Sequence, residues 1–143
     1  MKEINTYILE KLKINKDNVP VYHYYPQNST ELKTLIHKLI EERGENADLN
    51  DIDVSEIKTM TGLFNGENIS NINISKWNVS NVEDMGAIFY NCPKFNCDLS
   101  EWNISNVKNT GNMFYRCKKF NSDLGKWDTS NVKNMCNMFM ECT

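Results

Sequence analysis

The sequence is poor in the features that usually announce catalysis, export or nucleic-acid binding. Its 143 residues hold two histidines, His23 and His37, and six glycines that never cluster into a phosphate-cradling loop. No serine or cysteine sits in a nucleophile motif, so no enzyme activity, catalytic residue or cofactor is expected. No run approaches the roughly 18 apolar residues of a membrane helix, and no membrane association is expected. The stretch from Met1 to Lys16 alternates charged and apolar residues without the apolar block of a signal peptide. The chain is therefore expected to stay in the cytoplasm where it is made, a host's cytoplasm if it is phage-encoded. A net charge of −3, from 16 basic and 19 acidic residues spread along the chain, leaves no footprint for phosphate backbones. Direct nucleic-acid binding is not expected.

Cysteine is present but in the wrong number for a framework. Cys92, Cys97, Cys117, Cys136 and Cys142 are odd in count and lack an export signal, so reduced thiols are expected. A zinc site needs four ligands, and these cysteines lie in different repeats with no histidine near, so no metal site is expected. The hydrophobic share of 40% is low, and Asn and Ser fill the deficit.

What the sequence does have is a repeat. WNVSNVEDMGAIFYNC from Trp77, WNISNVKNTGNMFYRC from Trp102 and WDTSNVKNMCNMFMEC from Trp127 recur at a spacing of 25. A weaker copy, IDVSEIKTMTGLF, starts at Ile52, which stands in the tryptophan position. Ser55, Ser80, Ser105 and Ser130 are in phase, as are Phe64, Phe89, Phe114 and Phe139, and Leu49, Ile74, Leu99 and Leu124. The pattern divides the chain into a cap over 1–45 and four repeats over 46–143, about 46–70, 71–95, 96–120 and an incomplete 121–143.

Each repeat reads as a strand and a short helix. Leu99 to Ile104 alternates as a half-buried strand would. Ser80-x-x-Glu83 forms a capping box ahead of the apolar stripe Val82, Met85, Ile88 and Phe89, which predicts two to three helical turns. One unit of this size cannot bury its own apolar edge, so the units must stack. The tryptophans then form a buried column, and Asn46, Asn71, Asn96 and Asn121 a ladder that satisfies turn backbone. Upstream, Asn28-x-x-Glu31 followed by Leu32, Leu35, Ile36, Leu39 and Ile40 predicts an amphipathic helix over 29–43 that ends at Gly44 and covers the first repeat. Its charged face carries Lys33, Lys38, Glu41 and Glu42. Ile4 to Leu12 reads as another helix, and Val21 to Tyr25 as a short strand stopped by Pro26.

The signature W-[ND]-[VIT]-S-N-V-x-[ND]-x-x-x-x-[IM]-F-x-x-C, followed in two copies by F-N-x-D-L (Phe95 to Leu99, Phe120 to Leu124), closely resembles the 25-residue repeats of the BspA-like family. That family is related to leucine-rich repeats and occurs in bacterial surface proteins and in phage and prophage proteins. The resemblance covers about residues 46–143. It implies an α/β repeat fold, a right-handed leucine-rich-repeat-like solenoid with a parallel sheet on one face and short helices on the other. It implies adhesion or protein binding as the function, with no catalytic residues to carry over.

Two surfaces are candidate protein-binding sites. Asp53, Asn78, Asn103 and Asp128 form one polar row on the expected sheet face, and Asp51, Lys76, Glu101 and Lys126 form the next. The fourth repeat stops before its F-N-x-D-L, so its apolar edge, with Trp127, Val132, Met135, Met138, Phe139 and Met140, is expected to stay open for a partner or for end-to-end dimerisation. The function expected is a non-catalytic protein-binding module, such as a phage or prophage inhibitor of a host defence complex like a CRISPR effector. A surface adhesin and a self-assembling structural component are the alternatives.

Overall fold

A computed structural model describes residues 19–143. The helix expected over Ile4 to Leu12 lies outside them. One helix, α1, runs Ser29–Arg43. Asn28 caps it by accepting the Glu31 amide on Oδ1 at 2.9 Å, while the Glu31 carboxylate accepts the Gln27 amide at 2.8 Å. Gly44 ends it at φ 86°, a left-handed value that favours glycine. The buried stripe Leu32, Ile36, Leu39 and Ile40 lies in one core with the first repeats.

The repeats stack, and each is called a coil here: coil 1 (46–70), coil 2 (71–95), coil 3 (96–120) and coil 4 (121–143). Successive coils are joined by backbone bonds at alternate residues. The amides of Met85, Ala87, Phe89 and Asn91 donate to the carbonyls of Asn109, Gly111, Met113 and Tyr115 at 2.8 to 3.1 Å. Thr110, Asn112, Phe114 and Arg116 donate in the same way to Asn134, Cys136, Met138 and Met140.

The expected α/β solenoid of short parallel strands and short helices is not what forms. Among the described residues α1 is the single helix, and parallel pairing is confined to isolated bridges such as Asp84 to Asn109 and Asn109 to Asn134. The segment Val21 to Tyr25 likewise contributes one bridge, Tyr24 to Ile52, in place of a strand. Two physical causes account for the difference. Each coil is a chain of tight turns closed by bonds from residue i to i−3: Trp102 to Leu99, Val107 to Ile104, Met113 to Thr110 and Cys117 to Phe114. Both ends of most such turns are apolar and buried, which produces a spacing that mimics strand alternation and a helical stripe. Left-handed residues then recur every fourth position, at Gly62 and Gly66, Ala87 and Asn91, Asn112 and Arg116, Asn137 and Glu141. A helix cannot propagate through them, and the amides it would need are already spent on the next coil. The Ser80 to Glu83 capping box is dissolved the same way, since the Glu83 amide donates to the Lys58 carbonyl at 2.8 Å and its carboxylate takes Lys108 Nζ at 2.7 Å.

Aromatic columns fill the core. The Phe64, Phe89, Phe114 and Phe139 rings stack at centroid spacings of 5.4, 5.6 and 5.5 Å. Trp77 and Trp102 stack at 6.5 Å with planes 3° apart, and each indole N–H donates to a carbonyl of the coil before, Leu49 and Ile74.

Candidate functional site

The two expected polar rows lie along one flank, and most of their polar atoms are committed to the scaffold. Oδ1 of Asp53, Asn78, Asn103 and Asp128 accepts the amide of Ser55, Ser80, Ser105 and Ser130 respectively, at 3.0 to 3.2 Å. These side chains shape the turn that follows each Trp or Ile position. In the second row Lys126 pairs with Glu101 across coils at 3.0 Å. Asp51 is clamped by both Arg43 guanidinium nitrogens at 2.9 and 3.0 Å and by His23 at 3.1 Å. The Arg43 guanidinium holds the Asp51 carboxyl below its usual range. Lys76 lines a groove with Asp51, His23, Arg43 and Val19 to Tyr22.

A second set of ladders was missed by sequence reasoning. Asn109 Nδ2 donates to Asp84 Oδ1 and Asn134 Nδ2 to Asn109 Oδ1, both at 3.0 Å, while the same oxygens accept the amides of Gly86 and Gly111. Asn81, Asn106 and Asn131 each reach back to a serine carbonyl of the preceding coil, at Ser55, Ser80 and Ser105. The expected ladder on Asn46, Asn71, Asn96 and Asn121 forms at two steps, 46 to 71 and 96 to 121, and is replaced at the middle by an Asn96 amide bond to the Ser70 carbonyl. The overlooked signal was polar residues in phase with no apolar role.

The cysteines divide by burial. Cys92, Cys117 and Cys142 donate their thiols to the carbonyls of Phe64, Phe89 and Phe114. Burial pushes the Cys92 and Cys117 thiols up to about 12. Cys136 is exposed. Among the described residues no group of three or more His, Cys, Asp or Glu gathers as a metal site would need, and no helix is long and apolar enough to cross a membrane.

The edge of coil 4 differs from the rest of the surface. Met135, Phe139 and Met140 are 46, 53 and 51% exposed, whereas the in-phase Phe64, Phe89 and Phe114 are fully buried. Met138 is buried, and Trp127 is half-buried with its indole N–H on the Leu99 carbonyl. The amides of Met135, Asn137, Phe139 and Glu141, in phase with those that join the inner coils, find no acceptor among the described residues. The edge thus carries a row of backbone donors between apolar side chains.

No curated protein and no solved structure matches the chain. Residues 30–143, from within α1 through all four coils, match a family described as "Mycoplasma protein of unknown function, DUF285". The match spans most of the sequence, and the chain belongs to that family.

Proposed function

We propose that this protein is a non-catalytic protein-binding module whose working surface is the edge of coil 4. The observation that carries the reading is the exposure of Met135, Phe139 and Met140 on one coil, three of the five large exposed apolar side chains among the described residues. An apolar cluster of this kind costs solubility unless something covers it, and flexible methionines adapt to a partner's shape. The polar flank is a weaker candidate, because its carboxylates and amides already serve turns and inter-coil pairs. The likeness of the signature to BspA-like repeats, whose assigned roles are adhesion and protein binding, supports the same class of function.

The test is affinity capture from cell lysate with the parent, Phe139→Glu and Lys126→Ala side by side. A protein retained by the parent and Lys126→Ala but lost with Phe139→Glu supports the edge. Loss with Lys126→Ala alone moves the working surface to the flank. Retention on a glycan array with no protein captured overturns the reading. Circular dichroism of each variant checks that the fold is kept.

A further inference from the structure

The identity of one residue sets the edge of coil 4 apart. Positions 61, 86, 111 and 136 are in phase and carry Thr61, Gly86, Gly111 and Cys136. A Cβ at Gly86 would stand 2.7 Å from Nδ2 of Asn109, and one at Gly111 would stand 2.8 Å from Nδ2 of Asn134. Glycine therefore occurs where the next coil lays a side-chain amide across the position. Thr61 occurs where the next coil brings Asp84, which donates no side-chain N–H. Cys136 carries a Cβ, so its edge does not accommodate a neighbour bearing an Asn amide in the ladder.

The backbone of the edge adds a second constraint. From Asn134 to Met140 every carbonyl is occupied, those of Asn134, Cys136, Met138 and Met140 by coil 3 and those of Met135, Asn137 and Phe139 by turns within coil 4. What faces outward is amides alone: Met135, Asn137, Phe139 and Glu141. Two copies joined about a two-fold axis at this strip would set donors against donors. Stacking a second copy end to start is blocked by α1, whose Leu32, Ile36 and Leu39 are buried over coil 1. The complement is a chain segment of a different protein that supplies acceptors.

Resting on the reading of this edge as a protein-binding surface, we propose that it docks a segment of another protein lying parallel to residues 134–141. The segment presents backbone carbonyls at alternate residues to the four free amides, packs apolar side chains on Met135 and Phe139, and carries no side-chain amide opposite Cys136. The inner interfaces give its geometry, since Asn109, Gly111, Met113 and Tyr115 supply the equivalent carbonyls to coil 2.

The probe is a synthetic peptide with the sequence of residues 108–116 and its Asn109→Ala variant, each titrated into the isotope-labelled chain. The readout is the shift of the Met135, Asn137, Phe139 and Glu141 amide resonances. The Asn109→Ala peptide is expected to bind the parent roughly tenfold more tightly than the Asn109 peptide, the cost of one overpacked contact. In the Cys136→Gly protein the order is expected to reverse. Equal or tighter binding of the Asn109 peptide to the parent overturns the proposal. So does the absence of shifts at the four amides with either peptide, which leaves the broader reading to the Phe139→Glu capture. A dimer of the parent that Phe139→Glu dissociates, seen by light scattering, assigns the edge to a second copy and also overturns it.

Discussion

A Cβ at Gly86 would stand 2.7 Å from Nδ2 of Asn109 in the next coil, and the bond from that nitrogen to Asp84 Oδ1 fixes the distance between the two coils. Gly86 does not have a positive φ, so its requirement is steric and comes from its neighbour. Gly86→Ala is expected to cost about 1–3 kcal/mol through overpacking. Combining it with Asn109→Ala should recover part of that loss, because the obstructing amide is gone. Urea unfolding of the two single variants and the double variant gives the coupling, and strict additivity would show that the contact is not the cause.

The left-handed positions predict the opposite outcome for a different glycine. Gly62 has φ 63° and an added Cβ would meet only Asn65 Cβ at 4.0 Å, so space is not the issue there. Gly62→Ala should still cost about 1–2 kcal/mol, the penalty of a side chain in the left-handed region. Ala87, in phase at φ 54°, already bears that penalty. Ala87→Gly should gain on the order of 0.5–1 kcal/mol after the greater freedom of the unfolded chain is subtracted. Thermal unfolding that moves both variants in the same direction would contradict the assignment.

The indole N–H of Trp102 donates to the Ile74 carbonyl at 3.1 Å, and the ring lies between neighbouring coils with 3% of its surface exposed. Truncation to alanine removes packing and leaves the carbonyl unpaired, at a cost of roughly 3–5 kcal/mol. Trp102→Phe keeps most of the ring but not the bond, and should lose about 1–3 kcal/mol, the cost of an unpaired buried acceptor. Equilibrium denaturation that ranks phenylalanine as damaging as alanine would show that the hydrogen bond, more than the ring, holds the coils together.

The repeat length, the tryptophan and phenylalanine columns and the start of α1 were legible because each rests on one local rule. Asn28 and Glu31 satisfy each other's end of a helix, and in-phase aromatic rings stack when units stack. The secondary structure inside the coils was not legible. Turns closed at i−3 put Leu99, Trp102, Ile104 and Val107 on one side, and over a short window that spacing imitates both strand and helix. What separates the cases is the left-handed backbone at Asn112 and Arg116, which those side chains do not announce. At the candidate edge, Met135, Phe139 and Met140 could be named from phase alone. The row of outward amides could not, because it depends on which carbonyls the turns consume. Cys136 could have been found by asking why a cysteine replaces a glycine.

Thiol chemistry should follow burial. Cys92 and Cys117 sit in the core with thiols pushed up to about 12, so at pH 8 their thiolate fraction is negligible. Cys97 is also buried and raised, first by desolvation, and Cys142 is half-buried and raised for the same reason. Cys136 is exposed on the edge of coil 4. A maleimide added to the native protein should label Cys136 first, Cys142 slowly, and the other three only on unfolding. Peptide mass mapping reads the order, and early labelling of Cys117 would mean that coils 3 and 4 separate in solution.

His37 gives the packing of α1 a pH dependence whose sign is fixed by its partners. Its Nδ1 meets Glu67 of coil 1 at 3.0 Å and its Nε2 meets Glu41 of α1 at 3.2 Å. The hydrogen bond to Glu67, then the charges of Glu67 and Glu41, raise its pKa above the ordinary 6.5. A raised folded value means the protonated ring binds better in the folded state. Its contribution is complete below about 6.5 and is lost as pH climbs through the raised folded value. The side chain is well exposed, so the effect is small and screened by salt. Melting temperature should fall slightly as pH rises through this window. His37→Gln should flatten that slope while leaving the stability at higher pH nearly unchanged. A slope that survives the substitution, or one that rises with pH and disappears with it, would show that the imidazolium does not tie α1 to coil 1.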